Sequence, residues 1–130
     1  MALLSKKQIL EAQDQKIIEV DCPEWKGTVR IKSLTGAERD AFEDSIMGER
    51  DKAGTREVVM KNLRAKLVAM AAVDKDGNPL FTSGDVLALG QKNAAALDRL
   101  FTIAQKLAGI TKDDLEEMVK NSEPGQAAGS

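Results

Sequence analysis

Acidic side chains at one turn are the residues of this sequence best placed to bind a metal ion. Asp74, Asp76 and Gly77 lie in the run Asp-Lys-Asp-Gly-Asn-Pro, and carboxylates around a glycine turn are typical ligands of Ca²⁺. The spacing fails, because a register with Gly77 at the sixth loop position puts Ala72 at the first and Ser83 at the twelfth. A register that starts at Asp74 puts Asn-Pro where the turn glycine belongs. We therefore predict a plain turn and no metal site.

The residue types needed for most enzyme chemistry are missing. The sequence has no His, no Tyr and a single cysteine, Cys22. It therefore lacks His-based acid–base catalysis, a Cys–His pair and a His or multi-Cys metal site. No glycine-rich loop of phosphate-binding spacing precedes a helix. We expect a protein that is not an enzyme, with no catalytic residue and no cofactor, and we expect Cys22 to be a half-buried structural residue.

Length and charge restrict the remaining classes of protein. With 130 residues, 31% charged and 42% hydrophobic, the chain has the balance of one soluble domain. A net charge of -2 leaves no basic surplus for a phosphate backbone. No apolar run reaches the ~20 residues that span a bilayer, and the first residues lack the pattern of a signal peptide. We expect a cytoplasmic protein that binds neither nucleic acid nor membranes.

The hydrophobic pattern predicts a mainly α (α+β) fold, a bundle of about four to five helices with a small N-terminal antiparallel β-hairpin. The hairpin strands are predicted over roughly 16–21 and 27–33. A stripe at spacings of three and four residues predicts the central helix over 55–73: Val59, Leu63, Leu67, Met70 and Val73. We expect residues 1–120 to form a single domain and residues 121–130, rich in Gly, Ala and Ser, to form a flexible tail.

Capping residues predict where the other helices begin. Ser5 with Gln8 and Thr35 with Glu38 have the spacing of capping boxes, which predicts helices over about 5–13 and 35–47. The second of these should turn three apolar residues inward: Ala41, Phe42 and Ile46. Further helices are predicted from near Gly84, from Ala94 to a C-terminal cap at Gly109, and from Thr111.

Four apolar residues are candidates for contact with a partner: Trp25, Phe81, Leu87 and Leu89. Trp25 lies in the hairpin turn, and a large aromatic side chain at a turn is a frequent binding hot spot. Packing against the core explains Trp25 equally well. Phe81, which follows Leu80 and precedes Leu87, is open to the same two interpretations.

Several runs of the sequence resemble the tail assembly chaperones of long-tailed bacteriophages. Residues 25–39 read as a strand that leads into Leu-Thr-Gly-Ala-Glu-Arg and a helix. Residues 73–81, Val-Asp-Lys-Asp-Gly-Asn-Pro-Leu-Phe, precede Asp-Val-Leu-Ala-Leu-Gly at 85–90 and Leu-Asp-Arg-Leu-Phe at 97–101. The resemblance covers about residues 16–120 and consists of strand, turn and helix patterns, so it assigns no individual contact residue.

This resemblance implies a non-enzymatic chaperone of phage tail assembly. It implies binding to the tape measure protein, recruitment of tail tube protein, a frameshifted long form of the same chain, and absence from the mature virion. We expect this action in the host cytoplasm, with a homo-oligomer as a further possibility because strand edges are exposed. The alternatives are a structural tail or head–tail component and a small DNA-binding regulator, whose recognition helix would span Leu89 to Leu100.

Overall fold

The computed structural model describes residues 2–48, 52–54, 61–111 and 113–117. In these residues the chain forms an α+β fold with a three-stranded antiparallel sheet. In chain order the elements are α1 Lys6–Glu11, β1 Ile17–Cys22, β2 Gly27–Lys32, α2 Gly36–Ile46, α3 Leu63–Ala71, β3 Ala72–Val73, α4 Val86–Gly90 and α5 Ala94–Leu107. Residues 113–117 are also helical. The predicted fold class is confirmed, and the predicted tail at 121–130 lies outside the described residues.

The sheet has the strand order β1-β2-β3 and contains one strand more than predicted. The predicted hairpin is confirmed, with Val20 opposite Val29. The predicted extension of the central helix to Val73 is wrong, because Ala72 and Val73 leave the helix and pair with Ile31 and Arg30 of β2. The Leu80 amide donates to the Ala72 carbonyl at 3.1 Å, so this short strand is paired on both sides.

The predicted helix starts at Ser5 and Thr35 are confirmed. Each side-chain oxygen accepts the amide of the third helical residue, and that residue's side chain accepts the cap amide in return. Thr111 and Asp114 form the same reciprocal pair at the last described helix. Gly109, at a φ of 73°, ends α5 as predicted, in a conformation that a side chain disfavours.

The central helix begins later than predicted within the described residues. Asn62 has a left-handed φ of 62° immediately before Leu63, the first residue of α3. The predicted cap Thr55 and the stripe residue Val59 lie outside the described residues. The prediction of a single buried stripe is wrong for α3, because α2, α4 and α5 together cover this helix. Its buried side chains therefore lie on most of its faces: Leu63, Ala65, Leu67, Val68, Ala69 and Ala71.

One hydrophobic core joins the sheet to the helices. Phe42 and Ile46 of α2 are buried as predicted, whereas Ala41 is exposed. Cys22 is fully buried rather than half-buried. Met70 was expected in the core but is only partly buried at its edge. Within the described residues, no helix is both long and apolar enough to cross a membrane.

Candidate partner-binding grooves

The segment from Pro79 to Leu89 places apolar side chains on the surface beside β3. A turn at 74–78 leads into it, where the Asp74 carboxylate accepts the amides of Asp76 and Asn78 at 2.8 and 2.9 Å. The predicted turn is therefore confirmed. After it, Thr82 and Asp85 form a capping box that opens the first turn before α4. Phe81 lies between these two fixed points and is half-buried.

Phe81 separates two grooves. The first, which we call the Trp25 groove, has a volume of about 430 Å³ and is lined by Trp25, Leu80, Phe81, Asp85, Ala88, Leu89 and Lys92. The second, which we call the Met70 groove, has a volume of about 550 Å³. Its apolar lining consists of Ala69, Met70, Pro79, Phe81, Val86 and Leu87, and its polar lining of Glu38, Ser45, Asn62, Lys66, Thr82 and Ser83.

The structure brings the four candidate contact residues together at these grooves. Trp25 and Phe81 are half-buried and pack against the core while they line the Trp25 groove. Leu87 is 66% exposed and lines the Met70 groove. Leu89 is only 5% exposed, so it is a core residue that forms part of the floor of the Trp25 groove. Contact with a partner stays a prediction for each of the four residues.

Sequence reasoning missed Met70, Ala88 and Lys92 as groove residues. The spacing of Met70 predicts a place in the buried stripe of the central helix, and nothing in this spacing distinguishes a core position from a groove wall. Ala88 and Lys92 are exposed residues of ordinary type. They become part of a groove only because they line it together with Trp25 of the hairpin tip, which is distant in the sequence.

An ion pair fixes the hairpin tip that carries Trp25. The Arg99 guanidinium of α5 donates to both carboxylate oxygens of Glu24, at 2.8 and 2.9 Å. These hydrogen bonds, together with the local backbone, lower the pKa of Glu24 to about 2, and they raise the pKa of Arg99. The Cys22 thiol donates to the same carboxylate. Because its neighbour Glu24 is bound at two points, Trp25 is held at one wall of its groove.

The two charged residues that line the Met70 groove, Glu38 and Lys66, have partners within the chain. The Lys66 ammonium donates to the Ser45 carbonyl at 2.9 Å, and the Lys32 ammonium pairs with the Glu38 carboxylate. Burial alone would raise the pKa of Glu38, but hydrogen bonds from Lys32 and from the Thr35 amide outweigh it and leave the pKa below its ordinary value. The groove therefore presents mainly its apolar lining to a partner.

A further cleft, of about 570 Å³ between α3 and the start of α5, is lined by both charged and apolar residues. The Arg64 guanidinium donates to the Asp98 carboxylate at 3.0 Å and lies 5.9 Å from the centre of the Phe101 ring. Across the described residues, no group of three or more His, Cys, Asp or Glu side chains is arranged to hold a metal ion. The chemistry that the two grooves beside Phe81 support best is the docking of an apolar helix face.

The fold of this chain is similar to that of a known phage protein. No family model and no curated protein matches the sequence. The solved structure of the bacteriophage HK97 tail assembly chaperone aligns with a TM-score of 0.54 and 20% sequence identity. The alignment covers 78% of this chain and 94% of that chain. At this identity the similarity shows a shared fold.

Proposed function

We propose that this protein is a phage tail assembly chaperone. It binds the tape measure protein, keeps it soluble and helps to recruit tail tube subunits during morphogenesis. The observation that carries the proposal is the fold that the chain shares with the HK97 tail assembly chaperone over 94% of that protein. The sequence resemblance in strand, turn and helix patterns supports the same conclusion. We further propose that it acts in the host cytoplasm and leaves before the virion is complete.

The Met70 groove is our candidate for the surface that binds the tape measure protein. That partner is expected to be long and helical, and an amphipathic helix binds by laying its apolar face into a groove. Leu87 supplies exposed apolar area, and the flexible Met70 side chain adapts to different helix faces. Glu38 pairs with Lys32 and Lys66 donates to the Ser45 carbonyl, so both charged lining residues keep a partner when an apolar helix face covers the groove.

Two residues of the segment 89–100, which is divided between α4 and α5 rather than forming one recognition helix, argue against the DNA-binding alternative. Arg99 is held by Glu24, and the Asn93 side chain accepts the Ala96 amide at 3.0 Å as the cap of α5. Both are therefore engaged within the chain, although a recognition helix needs such side chains to reach base edges. The net charge of -2 also argues against DNA binding, because it leaves no basic surplus for a phosphate backbone.

Co-expression with the tape measure protein of the same phage tests the proposal. We expect the tape measure protein to be largely insoluble alone and soluble with this protein, and to co-elute with several copies of it in size-exclusion chromatography with light scattering. An insoluble tape measure protein beside a freely eluting chain would contradict the proposal. Mass spectrometry of purified virions tests the structural alternative, since a stoichiometric amount in the particle would favour a tail component over a chaperone.

A further inference from the structure

One side chain of the Met70 groove carries a charge that its own contacts do not balance. Lys66 lines the groove and is half-buried. Its ammonium donates to the Ser45 carbonyl at 2.9 Å, and a carbonyl occupies only one of the three N–H donors and carries no compensating charge. Within the described ranges of the chain, Lys66 forms no ion pair with a carboxylate. The ammonium is therefore able to donate to a further acceptor.

Glu38, the other charged residue that lines the Met70 groove, is already compensated. Its carboxylate pairs with the Lys32 ammonium and also accepts the Thr35 amide at 2.9 Å. The charges of Glu38 and Lys32 cancel, so the net charge that the groove offers to a partner is the positive charge of Lys66. An apolar groove with one net positive charge is complementary to an apolar helix face with one carboxylate at its edge.

The position of Lys66 determines where that carboxylate has to be. Lys66 and Met70 are four residues apart in α3, so their side chains lie on the same face of the helix, one turn and about 5–6 Å apart. A partner helix that lies along α3 and covers Met70 brings a residue of its own next turn over Lys66. An acidic residue three or four positions from the residue that covers Met70 is therefore within reach of the ammonium.

Docking makes this charge selective, because it removes water from the groove. A carboxylate over Lys66 compensates the desolvated ammonium, whereas an apolar residue leaves it with only the Ser45 carbonyl. A basic residue at that place brings two like charges together, which strongly opposes binding. Helices with the same apolar stripe are thus distinguished by the residue beside it.

We propose that the Met70 groove selects those helical segments of the tape measure protein in which an acidic residue lies one turn from the docking apolar residues, and that Lys66 pairs with it. This inference rests on the proposed chaperone function, since it takes the tape measure protein as the partner. Met70 and Leu87 supply the apolar contact area, and Lys66 determines which segments are bound.

Peptides that tile the tape measure protein of the same phage test the selection. Peptides of about 20 residues form helices about 30 Å long, and fluorescence anisotropy of labelled peptides measures their binding to the full-length chain. We expect the tightest binder to carry the acidic residue at the stated spacing. Replacing that residue by Lys should weaken binding to the wild type about tenfold or more.

Charge reversal in the groove should invert this preference. Lys66→Glu should weaken binding of the natural peptide about tenfold or more and should bind the Lys-substituted peptide more tightly than the natural one. Lys66→Gln keeps an N–H donor without the charge, so it should lose the preference and the decrease of affinity with added salt that the wild type shows. Lys106→Glu is the matched control, because it makes the same charge change at an exposed residue outside both grooves, and it should bind like the wild type.

Two measurements separate the failure of this inference from the failure of the chaperone function. A wild type that binds no peptide, that binds the natural and the Lys-substituted peptide equally, or whose preference survives in Lys66→Glu would overturn the role of Lys66. If the same wild type keeps the intact tape measure protein soluble in co-expression, the chaperone function stands without that role. An insoluble tape measure protein would contradict the chaperone function itself.

Discussion

Glu24 and Arg99 join the hairpin tip to α5 although they are 75 positions apart in the sequence. Both oxygens of the carboxylate are occupied by the guanidinium, at 2.8 and 2.9 Å. This geometry stabilises the ionised form of Glu24 and lowers its pKa from 4.5 to about 2. Because the Trp25 groove has the hairpin tip as one wall, the protonation state of one carboxylate bears on the shape of a candidate binding surface.

The lowered pKa of Glu24 gives a pH dependence of stability with a definite sign. A carboxylate whose pKa is lower in the folded state stabilises the fold above its unfolded pKa of 4.5, and this contribution is lost as the pH falls to about 2. Thermal unfolding of the wild type and of Glu24→Gln should therefore differ at neutral pH and converge towards pH 2. A difference that stays constant over this range would show that the pair contributes nothing through ionisation.

Neighbouring residues of similar type have different roles in α4, and the sequence does not distinguish them. Leu87 and Leu89 are both apolar and two positions apart, yet Leu87 is exposed and Leu89 is in the core. A helix of five residues is too short to show a repeating pattern. The capping residues Ser5 and Thr35, in contrast, act within three positions of themselves, so their roles could be predicted.

At the scale of elements, the core around α3, α4 and α5 contains several small side chains. Ala65 and Ala69 of α3 and Ala96 and Ala104 of α5 are all buried, and Ala65 lies close to Gly90 of α4. A close-packed interior has little room for added atoms. The core therefore limits which substitutions these positions accept.

Ala104→Leu should destabilise the fold because Ala104 is fully buried in α5. Added methyl groups in a well-packed core cost roughly 1–3 kcal/mol. Ala95→Leu on the same helix is the matched control, since Ala95 is exposed and surface changes cost at most about 0.5 kcal/mol. Chemical denaturation measures both. Equal stability of the two variants would contradict tight packing around Ala104.

Elements defined by local signals could be predicted, and elements defined by distant contacts could not. The hairpin and α5 follow from turn residues and from a long periodic pattern. The strand β3 exists because Ala72 and Val73 pair with β2, more than 40 positions earlier. The apolar period of the preceding helix continues through Val73, so nothing in the local sequence indicates where the helix ends.

At the scale of the whole molecule, two grooves lie on either side of Phe81, and the Met70 groove is the proposed surface for the tape measure protein. The two grooves have different exposed residues, because Leu87 lines the Met70 groove and Ala88 lines the Trp25 groove. Leu87→Asp should therefore impair co-purification of the tape measure protein, whereas Ala88→Arg should leave it measurable.

The most direct test is the soluble fraction of the tape measure protein when it is co-expressed with three forms of this chain. The wild type should keep most of it soluble, and Thr102→Asp, a change at an exposed position of α5, should do the same. Leu87→Asp should return most of it to the insoluble fraction, because a carboxylate at the apolar groove must be desolvated when a helix docks. Equal solubility with Leu87→Asp and wild type would contradict the Met70 groove as the binding surface, and insolubility with all three would contradict the chaperone function.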